Sequence, residues 1–180
     1  MNYIEIIAVL FTLLSVILTV KGNILCWPMG IIGVTFYSLI FYQHNLYADL
    51  GLQFVFFAQS IAGWINWRKP KEELPISWIS NQSRYQLLTG MLLMFMLICS
   101  FTIRYGGHMP FMDSAITTIS ITATFLLIKK KIESWILWMI NDILLVIVFS
   151  LNGLYTSAGI YSIFFILALT GLWKWIKESR

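Results

Sequence analysis

One carboxylate in this sequence sits where a carboxylate is costly. Asp142 follows Asn141 in the middle of an apolar run over about residues 134–151. An ionisable group at such depth costs roughly 2.5–3.5 kcal/mol on insertion scales, so it calls for a compensating partner. Trp138 lies four residues earlier, on the same face of a helix. A negative charge beside a flat indole suits a flat organic cation, because the anion balances the charge and the ring offers a cation–π face. No Lys, Arg or His lies deep in any apolar run. An internal partner for Asp142 would therefore be an amide, a hydroxyl or water. A carboxylate there could also carry protons, which predicts transport that responds to a pH gradient.

Other polar residues are candidates of lower rank. Gln53 and Gln59 fall in the run over 47–67, six residues apart, with Gln59 nearer its middle. The run over 110–128 carries Ser114, Thr117, Thr118, Ser120, Thr122 and Thr124. Hydroxyls in membrane helices ordinarily satisfy backbone carbonyls or neighbouring helices, and that is their expected role. Trp27, Trp64, Trp67, Trp135, Trp173 and Trp175 lie near run ends, where an interfacial belt is expected. His44 and His108 fall in predicted outer loops, too few for a catalytic or metal cluster. No phosphate loop, nucleotide-hydrolysing motif, cofactor motif or paired cysteine framework is present; Cys26 and Cys99 stand apart. The expectation is a protein that is not an enzyme and holds no metal or cofactor.

These residues must be positioned by membrane helices. Of the 180 residues, 59% are hydrophobic and 11% are charged, with a mean hydropathy of +0.80. That leaves too little polar surface for a water-facing globule or a nucleic-acid binder. Seven runs are long enough to cross a bilayer: about 3–20, 25–42, 47–67, 86–103, 110–128, 134–151 and 155–175. No barrel-type alternation occurs, so the expected fold is an all-α integral membrane protein of seven transmembrane helices. The first run has no basic preface or small-residue cleavage site, so it is read as a retained span. Lysine and arginine set the orientation. Eleven fall on the side of the carboxyl terminus and only Arg104 on the other. The amino terminus is expected outside and the carboxyl terminus in the cytoplasm.

The chain also repeats itself at an offset of 108 residues. Trp27 falls on Trp135, Tyr47 on Tyr155, Gly51 on Gly159, Gly63 on Gly171 and Trp67 on Trp175, without a gap. Residues 1–69 are read as a first three-helix repeat and 109–180 as a second, with the tail. Residues 70–108 supply a loop and a linking helix. Three helices plus one make an even number of crossings, so the repeats run parallel. Such repeats are a recurrent device of transporters, with substrate at their interface. A duplicated membrane scaffold is the competing reading. The polar set breaks the repeat: Trp138, Asn141 and Asp142 fall on Gly30, Gly33 and Val34. Packing does not require that asymmetry, but an asymmetric ligand does.

Several segments together resemble the PnuC family of bacterial vitamin transporters, over nearly the whole chain. They are Leu46-Tyr47-Ala48-Asp49 through Gln53, Gly63-Trp64 with Trp67, and Pro110-Phe111-Met112-Asp113-Ser114. Glu133-Ser134-Trp135-Ile136-Leu137-Trp138, leading to Phe149, Gly153 and Tyr155, completes the set. The resemblance implies a SWEET-like 3+1+3 fold in the bacterial inner membrane. It implies uptake of nicotinamide riboside by facilitated diffusion, trapping by a cytoplasmic kinase, and a homotrimer as an admissible assembly. Relatives carry thiamine, riboflavin or deoxynucleosides. Many nicotinamide riboside carriers of the family have Asn where this chain has Asp142, and both nicotinamide riboside and thiamine are aromatic cations. The expected substrate site is Asp142, Asn141 and Trp138, completed by Gln53 and Gln59.

Overall fold

The structure, a computed structural model, describes residues 3–70, 72–106 and 109–180. Lys71, one of the basic residues used for orientation, and His108 lie outside the described residues. Seven helices follow one another: α1 Tyr3–Val20, α2 Cys26–Gln43, α3 Tyr47–Asn66, α4 Asn81–Arg104, α5 Pro110–Ile128, α6 Glu133–Leu151 and α7 Tyr155–Glu178. They match the apolar runs because a helix is the one open-ended structure that satisfies its own backbone in lipid. Among the described residues, five of them (α1, α4, α5, α6 and α7) are long and apolar enough to cross a membrane on their own composition. The α2 and α3 helices fall short of that measure. α3 is diluted by Asp49, Gln53, Gln59, Ser60 and Asn66, and α2 by Thr35, Ser38 and Gln43.

Most of the turns end on a residue of positive φ: Gly22, Asn45, Gly106, Lys130 and Gly153. Residues 22 and 130 are 108 apart, and so are 45 and 153. Their hydrogen bonds match too. Asn23 N donates to Leu18 O as Lys131 N does to Leu126 O, each at 2.9 Å. Leu46 N donates to Phe41 O at 2.9 Å, and Leu154 N to Phe149 O at 2.8 Å. Pro110 opens α5, where its missing N–H is harmless.

The helices form a ring. Neighbouring pairs are α1·α2, α2·α3, α3·α5, α5·α6, α6·α7 and α7·α1, and α4 packs on α5 from outside. Large apolar side chains of α4 such as Leu92, Leu97 and Phe101 stay exposed, as lipid-facing residues do.

The core sits at the end of the ring that carries the α1–α2 and α5–α6 turns. Trp27, Trp67, Trp135 and Trp175 are buried there, with 0–6% of their surface exposed. This corrects the expected interfacial belt for these four. Trp173 does lie exposed, with Lys177 Nζ 3.6 Å from its ring centroid. The four indoles turn inward because two glycines make room. A Cβ on Gly63 would overlap the Trp27 ring, and one on Gly171 would sit 2.7 Å from Trp135. Small residues facing large ones drive helix association where lipid removes the hydrophobic incentive. Trp27 and Trp67 meet edge-on at 5.3 Å and 89°, and Trp135 and Trp175 at 5.4 Å and 90°.

Candidate functional site

The α6 helix brings three of the five expected residues together. Asn141 and Asp142 are buried, and Trp138 is half-buried one turn before, packed against the tryptophan core. Among the described residues, no hydrogen bond or ion pair reaches the Asp142 carboxylate, and Asn141 Oδ1 is buried without a partner. An acceptor pair buried in this way can receive hydrogen-bond donors or, when the carboxyl is ionised, balance a cation. Both residues follow from one helix: consecutive positions turn by 100°, so Asp142 and Trp138 share a face while Asn141 points to its flank.

Sequence reading missed two aromatic side chains on α7 and α2. Tyr161 of α7 lies within electrostatic reach of both Asp142 and Tyr37 of α2. Its ring stacks on Phe149 at 5.3 Å and 13°, and Tyr37 stacks on Phe41 at 6.0 Å and 23°. The match of Phe41 with Phe149 in the repeat was the available signal. The partners of those two rings were not visible, because they come from different elements of each half.

The two glutamines stand apart from this group. α3 and α6 are not neighbours, since α5 stands between them on one side of the ring and α2 does not touch α6. Gln59 donates from Nε2 to Ile121 O at 3.0 Å, while its Oε1 is buried without a partner. It lines a crevice of about 220 Å³ with Gly90, Met91 and Met94 of α4 and Phe125 of α5. Gln53 is half-buried in α3, nearer the other end. Hydroxyls of α5 turn mostly onto their own backbone. Ser114 donates to Pro110 O, Ser120 to Thr117 O at 3.0 Å, Thr122 to Thr118 O at 2.8 Å and Thr124 to Ser120 O at 2.9 Å. Thr118 Oγ1 is buried and unpaired.

Charge is distributed along the ring axis. Glu5, Asp49 and Asp113 occupy the first turns of α1, α3 and α5, where the helix dipole favours acids. The opposite end is rich in lysine and arginine, and a strap over residues 74–79 is sewn to it. Ser77 N donates to Lys130 O at 3.3 Å and Ile132 N to Ser77 O at 3.1 Å. Lys131 Nζ donates to Ser77 Oγ at 2.7 Å. Glu133 accepts from Ile79 N at 3.0 Å and pairs with Arg84 at 3.2 Å.

The chain belongs to a family of membrane transporters described as Nicotinamide mononucleotide transporter, which matches residues 2–177. It is 30% identical to the nicotinamide riboside transporter PnuC of Escherichia coli K12, covering 100% of this chain and 87% of that one. A protein of the same name from Neisseria mucosa is 24% identical, over 77% of this chain and 56% of its own. The fold is that of a crystal structure of the vitamin B3 transporter PnuC, with a TM-score of 0.81 and 19% identity over 98% of this chain and 82% of that one.

Proposed function

We propose that this transporter takes up nicotinamide riboside by facilitated diffusion, through alternating access around a pocket at Asp142. The observation that carries this reading is the buried, unpaired Asp142 carboxylate with Trp138 one turn away. The family description speaks of a mononucleotide and the relatives' names of a riboside. The two solutes differ by a phosphate. A nucleotide would bring that anion next to Asp142, in a ring whose described lysines and arginines stand at helix ends or in loops. The riboside keeps only the pyridinium cation, which Asp142 balances and Trp138 faces. Asn141 is assigned to ribose hydroxyls or the carboxamide, and Gln53 and Gln59, which stand apart from it, are left outside this pocket.

The moving parts are proposed to be the two three-helix bundles, residues 1–69 and 109–180, joined through residues 70–108. Matching turns, tryptophan pairs and ring seams 108 residues apart support that division. The α3·α5 seam is stitched by Gln59 to Ile121 O, Asn66 Nδ2 to Ile128 O at 2.9 Å and Trp67 Nε1 to Leu127 O at 3.2 Å. At the matching place on α7, Trp175 Nε1 has no partner. Rocking would therefore pivot on α3·α5 and open at α1·α7. The basic end is assigned to the cytoplasm of the bacterial inner membrane, where a kinase would trap the riboside by phosphorylation.

Purified protein in liposomes tests this reading. Labelled nicotinamide riboside should enter down its gradient without a pH gradient, and uncharged nucleosides should not compete. Thiamine is the second reading, favoured by Asp142 standing where many nicotinamide riboside carriers of the family have Asn. Entry of thiamine in place of the riboside would replace the substrate but keep the site. Entry only with an imposed pH gradient would replace facilitated diffusion by proton coupling through Asp142.

A further inference from the structure

We infer, within the alternating-access cycle proposed for this chain and resting on it, that Trp67 and Trp175 form the gate that closes the basic end of the ring. Trp175 is its moving leaf. Around the ring α3 and α7 stand opposite each other, and so do α2 and α6. Even so, four buried indoles reach across it in one row. Trp27 of α2 meets Trp67 at 5.3 Å, Trp67 at the end of α3 meets Trp175 of α7 at 6.1 Å, and Trp175 meets Trp135 of α6 at 5.4 Å. Among the described residues, Trp67 with Trp175 is the one ring-to-ring contact between the two halves. The row lies on the basic side of Asp142, since Trp135 precedes that residue by seven positions on α6, about 10 Å along the axis. Toward the basic end, a cavity of about 510 Å³ opens between the α1–α2 and α5–α6 turns, with Trp175 in its wall. A solute passing from Asp142 to that cavity must part Trp67 from Trp175.

The two leaves are held differently. Trp67 Nε1 donates to Leu127 O at 3.2 Å, which ties it to the second half. The place of Leu127 in the first half belongs to Thr19, 108 residues earlier, on the α1 helix that neighbours α7. The turns around these two carbonyls match: Gly22 N donates to Thr19 O and Lys130 N to Leu127 O, each at 2.9 Å. Trp175 nevertheless is fully buried, and its indole N–H has no partner. A buried donor left unpaired is unfavourable, and it gains an acceptor when it swings into water. The closed gate thus carries a cost at Trp175 that it does not carry at Trp67. Opening at the α1·α7 seam relieves that cost, while Trp67 keeps the α3·α5 seam shut.

Spin labels at two matching pairs of exposed positions test the gate in the full chain in nanodiscs. Lys21→Cys with Lys177→Cys spans the α1·α7 seam, and Lys129→Cys with Lys69→Cys spans α3·α5 at the matching place. Native Cys26 and Cys99 are buried and stay unlabelled. The parent should show a short and a long distance across α1·α7 and one distance across α3·α5. Trp175→Ala should raise the long population at α1·α7. Trp175→Phe keeps a ring but removes the unpaired N–H, so it should lower the ratio of long to short by about fivefold or more. A mere packing role gives no such opposite sign, and the phenylalanine variant decides the matter if the alanine variant does not fold. Trp67→Phe loses the tie to Leu127 and should add a second distance across α3·α5. Equal movement at both seams, a single α1·α7 distance in both the parent and Trp175→Ala, or a longer distance in Trp175→Phe overturns the gate. These arms need no solute, so they are decided apart from riboside uptake. If the variants behave as expected while nicotinamide riboside neither enters liposomes nor shifts the distances, the gate stands and the substrate reading fails. Riboside uptake with a single, unchanging α1·α7 distance overturns the gate alone.

Discussion

In the first half of the ring, α1 and α2 meet closely: a Cβ on Gly30 would lie 3.2 Å from Ser15 Oγ, and one on Gly33 would lie 2.6 Å from Thr12 Oγ1. In the second half, the same two places on α6 carry Trp138 and Asn141, followed by Asp142. At the basic end matching residues meet alike, with edge-on tryptophan pairs at 5.3 and 5.4 Å and Gly63 and Gly171 against Trp27 and Trp135. The difference separates two demands on one duplicated sequence. Packing is a demand both halves meet in the same way. Holding a solute that has no twofold symmetry is, in the proposed reading, a demand that falls to the second half.

The largest test of that separation is Asp142→Ala. Loss of a charge-assisted contact worth about 1.5–3 kcal/mol should weaken riboside binding by roughly 10- to 100-fold, while the protein still elutes as a folded species. Adding Val34→Asp, the matching place in the first half, should not restore uptake. Restored uptake would show that the halves are interchangeable after all. Next come the glycine seats. Gly63→Ala and Gly171→Ala should each lower stability by about 1–3 kcal/mol, to a similar extent, read as melting in detergent. A large loss at only one of them would break the likeness at the basic end. Trp138→Ala should cost about 0.5–2 kcal/mol in binding, with Trp138→Phe intermediate. The matching Gly30→Ala should leave affinity alone and act on stability. The smallest effect concerns the turns. Gly22→Ala should lose about 1 kcal/mol, because residue 22 holds φ +66°, whereas Lys130→Gly should be close to neutral or slightly stabilising.

Much of the architecture was legible because membrane helices announce themselves by length. The α1 and α5 boundaries fall where the apolar runs end. α4 begins at Asn81, earlier than its apolar run, because Ser80 caps it by accepting from Ser83 N. α7 continues to Glu178, where Lys174 and Glu178 carry the helix beyond its apolar stretch. The destination of Trp27, Trp67, Trp135 and Trp175 was not legible. A helix apolar on every face has no periodicity to tell core from lipid, and only the pairing with Gly63 and Gly171 distinguishes them. Within the site, Asp142 and Trp138 could be read from depth and spacing on one helix. Tyr161 and Tyr37 could not, since they come from α7 and α2, on either side of α1 in the ring. The strap was equally hidden: Ser77 and Ile79 find Lys131 and Glu133, more than fifty residues away.

That strap is fastened by hydrogen bonds to the α5–α6 turn. It therefore travels as a passenger of that turn, and a dye on it becomes a ruler. Trp78 is exposed at its tip, and both native cysteines are buried. A thiol introduced there, watched against a second label beside Gly22, would report the proposed rocking of the two bundles as a change in energy transfer.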